Sequence, residues 1–299
     1  MNAVHAVVSA ADHPAAPNSS SLSPGTWPAF MTHAAQQDYL DAETGLQRAQ
    51  AQGYTHWYID GSLDGERPQD FPSRRLEALC EAIQQTGMRP IYHGNFKSPL
   101  GSDVPALSAA ALAYAQAETA LCAQLGGAPL IVHGGGVVEP RLVPEVRRAG
   151  LQGLISNLRV LVAQGEALGV EIWLENLCNY TRFHPFYYIC TTADEVDEVL
   201  EAVPGLHLFL DVSHAYVNGG DPVAMFQRFH RRISGMSFSD NHRDRDAHLP
   251  LGSGTLPFGE LVAAIEQVGW QGMIGMETRG GTLAQSVQAL AAAGATPRS

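Results

Sequence analysis

Eight side chains of the kinds that bind cations or move protons recur along this chain of 299 residues: His93, His133, Glu175, Asp211, His214, Asp246, His248 and Glu277. Five of them close short apolar runs. His93 ends MRPIYH, His133 ends PLIVH, Glu175 ends VEIWLE, Asp211 ends LHLFLD and Glu277 ends MIGME. His214 follows Asp211 by one turn, and Asp246-Ala247-His248 lies in the loop after ISGMSFS. Buried Asp, Glu and His are costly without partners, and converging carboxylates repel unless a cation or a shared proton lies between them. Taken singly, each residue has a plainer explanation: a hydrogen-bonded histidine, a helix cap at Asp211, a polar loop at Asp246. The coincidence of these types at the same end of independent runs favours a site for one or more divalent ions. Mixed imidazole and carboxylate ligands suit zinc, manganese, iron or cobalt.

For such ends to meet, the runs must be parallel strands of one sheet. The expected strands are Trp27–His33, Thr55–Asp60, Met88–His93, Pro129–His133, Val170–Glu175, Leu206–Asp211, Ile233–Ser239 and Met273–Glu277. Most follow a glycine, the expected stop of a preceding helix. The segments between carry helical spacing; in Leu151–Leu168, Leu154, Leu158, Leu161, Val162 and Leu168 fall along one face. Strands alternating with helices imply parallel pairing with right-handed crossovers. Eight such units predict an α/β fold, a single (β/α)8 TIM barrel, whose chemistry sits at the C-terminal strand ends. A doubly wound open sheet is the competing architecture, but no G-x-G-x-x-G opens the first βα turn. Residues 1–25, rich in Ala, Ser and Pro, read as a flexible leader, and residues 26–299 as one barrel domain.

A chain that is 45% hydrophobic and 16% charged can bury a large core. No run of eighteen apolar residues predicts a membrane span, and the absence of Lys and Arg before Arg48 argues against a secretory signal. Four cysteines without a C-x-x-C pair point to a reduced, cytoplasmic setting. A net charge of −12 disfavours nucleic acid as partner and leaves a small-molecule substrate; association into a homo-oligomer stays open. In the loop after His93 the lone lysine, Lys97, reads as a substrate contact or a solvated loop residue, and Phe96 as a ring stacking on substrate or closing the barrel mouth. Arg182 and His184 in the aromatic segment after Glu175, and His242 in the loop after Ser239, are further candidate substrate contacts.

The stretches Val132-His133-Gly134-Gly135, Leu174-Glu175-Asn176-Leu177, Asp211-Val212-Ser213-His214-Ala215 and D-x-H-x-x-x-G-x-G from Asp246 to Gly254, followed by Glu277, carry a resemblance. Over residues 27–293 the chain resembles the xylose isomerase-like TIM barrels, in the branch holding endonuclease IV and the sugar phosphate isomerases and epimerases. The resemblance implies three groups of ligands. His93, His133 and Glu175 would surround one ion. Glu175, Asp211 and Glu277 would hold a second, and His214, Asp246 and His248 a third. The family's strand-seven histidine falls at Ser237 in this chain, a departure that leaves the middle group without its imidazole. The resemblance also implies that Glu175 and Glu277 flank a substrate and move a proton beside its carbonyl through a metal-stabilised enediolate. That is an isomerase or epimerase of a sugar, sugar phosphate or related small polyhydroxy carbonyl compound. The same scaffold supports a dehydrating lyase, or an endonuclease IV-like phosphodiesterase.

Overall fold

The computed structural model describes residues 31–35, 40–137, 142–178, 187–217, 219–279 and 283–293. The strands are β1 (Met31–Ala35), β2 (His56–Asp60), β3 (Arg89–His93), β4 (Leu130–His133), β5 (Gly136–Val137), β6 (Ile172–Glu175), β7 (Tyr187–Tyr188), β8 (His207–Asp211), β9 (Ile233–Phe238) and β10 (Gly272–Met276). The helices are α1 (Ala42–Ala51), α2 (Ser73–Thr86), α3 (Pro105–Gln124), α4 (Val143–Leu168), α5 (Ala193–Ala202), α6 (Val212–Val217), α7 (Pro222–Phe229), α8 (Phe258–Val268) and α9 (Leu283–Ala292). Eight parallel strands close into a barrel in the order β1-β10-β9-β8-β6-β4-β3-β2, and β5 pairs antiparallel with β7 outside it. The expected strands reappear within two residues, except that the first runs Met31–Ala35 rather than Trp27–His33. The leader expected over residues 1–25 lies outside the described residues.

Local chemistry explains the alternation. Helices α2 and α4 stop at Gly87 and Gly169, whose φ angles of 69° and 71° suit a residue without Cβ. Asp41, Thr192 and Asp221 accept backbone N–H bonds at the starts of α1, α5 and α7. No helix among the described residues is long and apolar enough to cross a membrane. All four cysteines are free thiols.

Inside the barrel, side chains two residues apart along a strand stack in layers. Tyr58, Ile91, Ile131, Trp173, Phe209 and Met273 form a buried apolar cluster separate from the main core between strands and helices. Two residues further along the same strands stand Asp60, His93, His133, Glu175 and Asp211. The apolar cluster is therefore the floor on which the ionisable residues rest. Strand register aligns them, with His93 opposite Asp60, Glu175 opposite His133 and Ser237 opposite Asp211. Trp173 stacks on Phe209 at 6.1 Å within this floor, whereas Trp57 belongs to the outer core and donates its indole N–H to Ala42 O.

Gly235 makes room for the floor. A Cβ there would lie 2.9 Å from Phe209 and 3.0 Å from both Met273 and Trp173. Gly235→Ala is expected to destabilise the fold by about 1–3 kcal/mol through overpacking, read as a lower urea midpoint with an unchanged slope.

Candidate metal centre

The C-terminal strand ends bring all eight predicted ligand-type residues together. Glu175, buried at the end of β6, is approached by three imidazoles. His133 Nε2 lies 3.3 Å and His93 Nε2 3.5 Å from its Oε2, and His214 Nδ1 lies 3.3 Å from its Oε1. His93, His133 and Glu175 form one group whose ligand atoms converge closely enough for a metal ion, and Glu175, Asp211 and His214 form another. Despite these near imidazoles, Glu175 Oε2 has no hydrogen-bond partner, and neither do the buried His93 Nδ1 and Glu277 Oε1. A tetrahedral ion with ligand bonds of about 2.0–2.1 Å would separate its ligand atoms by about 3.3–3.5 Å. The spacing of His93 Nε2 and His133 Nε2 from Glu175 Oε2 fits that edge length, while the bonding geometry leaves Oε2 unsatisfied by itself.

A second convergence lies beside the first. His214 Nδ1 faces the carbonyl of Asn176 at 2.8 Å, and His248 Nδ1 faces that of Glu277 at 2.8 Å. A carbonyl only accepts, so both Nδ1 atoms carry hydrogen and fix the tautomer. The Nε2 atoms then point at one carboxylate oxygen: Asp246 Oδ2 lies 3.4 Å from His214 Nε2 and 2.8 Å from His248 Nε2. Neutral imidazoles would set lone pairs against a carboxylate. Protons or a cation must occupy that junction. Carbonyl anchoring of the distal imidazole nitrogen is also how proteins orient metal-ligating histidines.

The electrostatics follow from burial and crowding. Burial works against charge on His93 and His214, yet neighbouring carboxylates outweigh it and hold both well above the usual imidazole range. Burial depresses His133. Burial likewise opposes charge on Glu175, but His133 and its fellow imidazoles keep this carboxyl well below the usual range. Burial, with Glu175 and Asp211 nearby, pushes Glu277 up to about 8. Asp211 is raised by burial; its Oδ2 accepts from Ser237 Oγ at 2.7 Å and its Oδ1 accepts the amide of His214. Thus Asp211 does cap α6 while facing the site, and Ser237 occupies one of its lone pairs.

His93, His133, Glu175, His214, Asp246, His248 and Glu277 line a cavity of about 330 Å³, together with Phe96, Leu177 and Tyr188 on its apolar side, while Asp211 lies beneath it. Phe96 sits edge-on to His133 at 5.2 Å and to Tyr188 at 5.8 Å. Lys97 is exposed, its ammonium donating to the carbonyl of Ser62, a lining residue, at 3.4 Å. His242 is exposed and is not among the lining residues. Arg182 and His184 lie outside the described residues. Residues not singled out from sequence also line the cavity. Asp60, whose Oδ1 is 3.7 Å from His93 Nδ1, ends THWYID in the same pattern as the ligands, a signal available in the chain. Tyr188 and Arg279 carried no such pattern.

Behind the loop that carries Phe96, Glu118 of α3 is buried and accepts the Asn95 amide at 2.8 Å. Burial raises its carboxyl to about 7. A carboxyl raised on folding contributes stability that is full below its unfolded value near pH 4.5 and lost as pH rises through about 7. Glu118→Gln, which keeps an acceptor for Asn95, should remove that loss. The variant's stability relative to the parent is expected to improve by about 3 kcal/mol between pH 5 and 8.5 in urea titrations.

With this geometry in view, the profile of the xylose isomerase-like TIM barrel family matches residues 46–295. The chain belongs to this family. Among solved structures, this xylose isomerase-like barrel superposes on a D-tagatose 3-epimerase-like protein with a TM-score of 0.74 at 18% identity, covering 87% of this chain and 94% of that one. A 3-keto-D-glucoside 4-epimerase from E. coli gives 0.67 at 17% identity, over 88% and 98% of the two chains. A Thermus thermophilus protein, TTHB071, soaked with ZnCl2, gives 0.66 at 23% identity, over 90% and 100%. At these identities the likeness speaks to the fold. A curated relative, the uncharacterized protein MJ1311 of Methanocaldococcus jannaschii, is 25% identical over 151 residues, 48% of this chain and 50% of its own. The chain spans about half the length of the curated relatives it matches.

Proposed function

We propose that this barrel is a divalent-metal-dependent isomerase or epimerase of a sugar, sugar phosphate or related small polyhydroxy carbonyl compound. The observation that carries the reading is Glu277. It is a buried carboxyl with an unpartnered oxygen and a proton affinity raised to about 8, lining the same cavity as the strongly ionised Glu175. Two carboxyls pushed apart in this way form an acid–base pair. The 3-keto-D-glucoside 4-epimerase among the structural neighbours supports the same reaction class.

His93, His133 and Glu175 would hold one ion, and His214, Asp246 and His248 another. Glu175, Asp211 and Glu277 remain as a middle set without the imidazole that Ser237 replaces. A bound divalent ion supplies polarisation of adjacent carbonyl and hydroxyl oxygens, which acidifies the carbon between them. Glu175 takes the proton from that carbon, and the electron pair of the C–H bond delocalises into an enediolate. Glu277 gives its proton to the opposite face of the same carbon, inverting it with the carbonyl kept in place; for isomerisation it protonates the former carbonyl carbon instead, and the hydroxyl proton passes to the former carbonyl oxygen as the new carbonyl forms. Both carboxyls then re-equilibrate with solvent, so a solvent proton enters the product. The apolar side formed by Phe96, Leu177 and Tyr188 shields the reacting centre from bulk water.

The test is incubation of the zinc- or manganese-loaded protein with a panel of ketoses, ketose phosphates and keto-glycosides in heavy water. Deuterium entering the carbon beside the carbonyl of an epimerised or isomerised product is expected. Products that have lost water would transfer the scaffold to a lyase. Incision of an abasic duplex, without exchange on any sugar, would transfer it to a phosphodiesterase.

A further inference from the structure

Asp240 lies two residues beyond β9 and is 1% exposed. Its carboxylate gathers four backbone amides. Oδ1 accepts from Asn241 at 2.8 Å and from Leu256 at 2.9 Å, while Oδ2 accepts from Gly252 at 3.0 Å and from Gly254 at 2.9 Å. Its own backbone exchanges two further bonds with Leu249, at 2.7 and 2.9 Å. The lone pairs of the carboxylate are thus fully used; they tie the start of the 241–256 loop to its last five residues, and the Asp240 backbone holds the middle at Leu249.

That loop carries Asp246 and His248 into the cavity. It holds His248 at φ 47°, in the left-handed region that a residue with a Cβ rarely adopts. The strain persists only where surrounding bonds over-determine the backbone; the Arg279 amide on the His248 carbonyl and the bonds of Asp240 to the residues on either side of it supply that constraint. Both glycines of the D-x-H-x-x-x-G-x-G run then have a cause. Gly252 sits at φ 83°, and a Cβ on Gly254 would stand 2.4 Å from Asp240 Oδ1 and 2.5 Å from Asn241 O. The run records the cradle of Asp240 as much as the ligands themselves.

We infer that Asp240, which does not line the cavity, is the positioning residue that sets Asp246 and His248 against His214, and that cation binding by this arm depends on it. The dependence on cations rests on the reading given under Proposed function; the ordering of the loop does not.

Asp240→Asn places an amide NH2 against two of the four backbone N–H donors while keeping the size of the side chain. In the metal-free protein, hydrogen exchange of amides in 241–256 is expected to accelerate at least tenfold, with the barrel strands unchanged. Carbethoxylation of His248 should accelerate with it. After dialysis against zinc, the variant should bind one ion fewer per chain than the parent and retain the ion at His93, His133 and Glu175. Gly254→Ala, which presses on the same carboxylate from the other side, should reproduce both effects and serves if Asp240→Asn does not fold. Unchanged exchange in the loop would overturn the inference. So would faster exchange with the full zinc complement retained. Should the parent bind no zinc, the cation reading fails, and exchange together with His248 reactivity still decides whether Asp240 positions the arm.

Discussion

Glu277→Gln is expected to lower turnover about a thousandfold while zinc content, circular dichroism and melting temperature stay within error of the parent. The amide keeps the shape and the polar surface but can neither hold nor release the proton. A positioned acid or base contributes about 10²–10⁴-fold. A thousandfold lies in the middle of that range, and the buried, unpartnered Oε1 of Glu277 in the cavity lining is where such an acid would stand. Burial and the negative charges of Glu175 and Asp211 keep its proton in place near neutrality. In the variant, deuterium entry from heavy water should fail on the face that Glu277 serves. Retention of turnover above a tenth of the parent's would remove Glu277 from the chemistry.

Glu175→Gln is expected to fail earlier, at the cation. Glu175 is the one residue common to the converging groups, with His93, His133 and His214 all within 3.5 Å of its carboxylate. Removing its charge takes away a ligand and leaves three buried imidazoles without their counter-charge. Loss of partners that merely orient a ligand costs about 10–100-fold in metal affinity, so loss of this ligand should cost roughly 100-fold or more in calorimetric titration with zinc. The parent should also gain thermal stability on adding zinc, as any ligand of the native state confers, and Glu175→Gln should gain almost none. Equal zinc affinity in the two proteins would contradict the assignment. Together the substitutions separate the roles: one abolishes proton transfer with the ion in place, the other loses the ion.

The barrel is readable because most units repeat one physical pattern: a glycine stop, a run of apolar residues and an ionisable residue at the strand's C-terminal end. His93, His133, Glu175 and Asp211 were legible as a set for that reason, and register then placed them side by side. Asp60 carries the same pattern at the end of THWYID, and its place beside His93 emerges from the β2–β3 pairing. The β5–β7 pair was not legible, since two-residue strands have no period and their partners are far apart in the chain. Nor was the consequence of Ser237, because only the fold shows its hydroxyl donating to Asp211. Four amides converging on the Asp240 carboxylate leave no trace in composition, though the two glycines that allow them do.

The proposed chemistry requires that these side chains gather a cation. Crystals grown without metal and then soaked in a zinc salt, with anomalous scattering measured at the zinc edge, test this directly. The expected result is a strong peak about 2.0–2.2 Å from His93 Nε2, His133 Nε2 and a Glu175 oxygen, with a second peak among His214, Asp246 and His248. Maps without a peak at the Glu175 cluster, at zinc concentrations that load surface histidines, would contradict it.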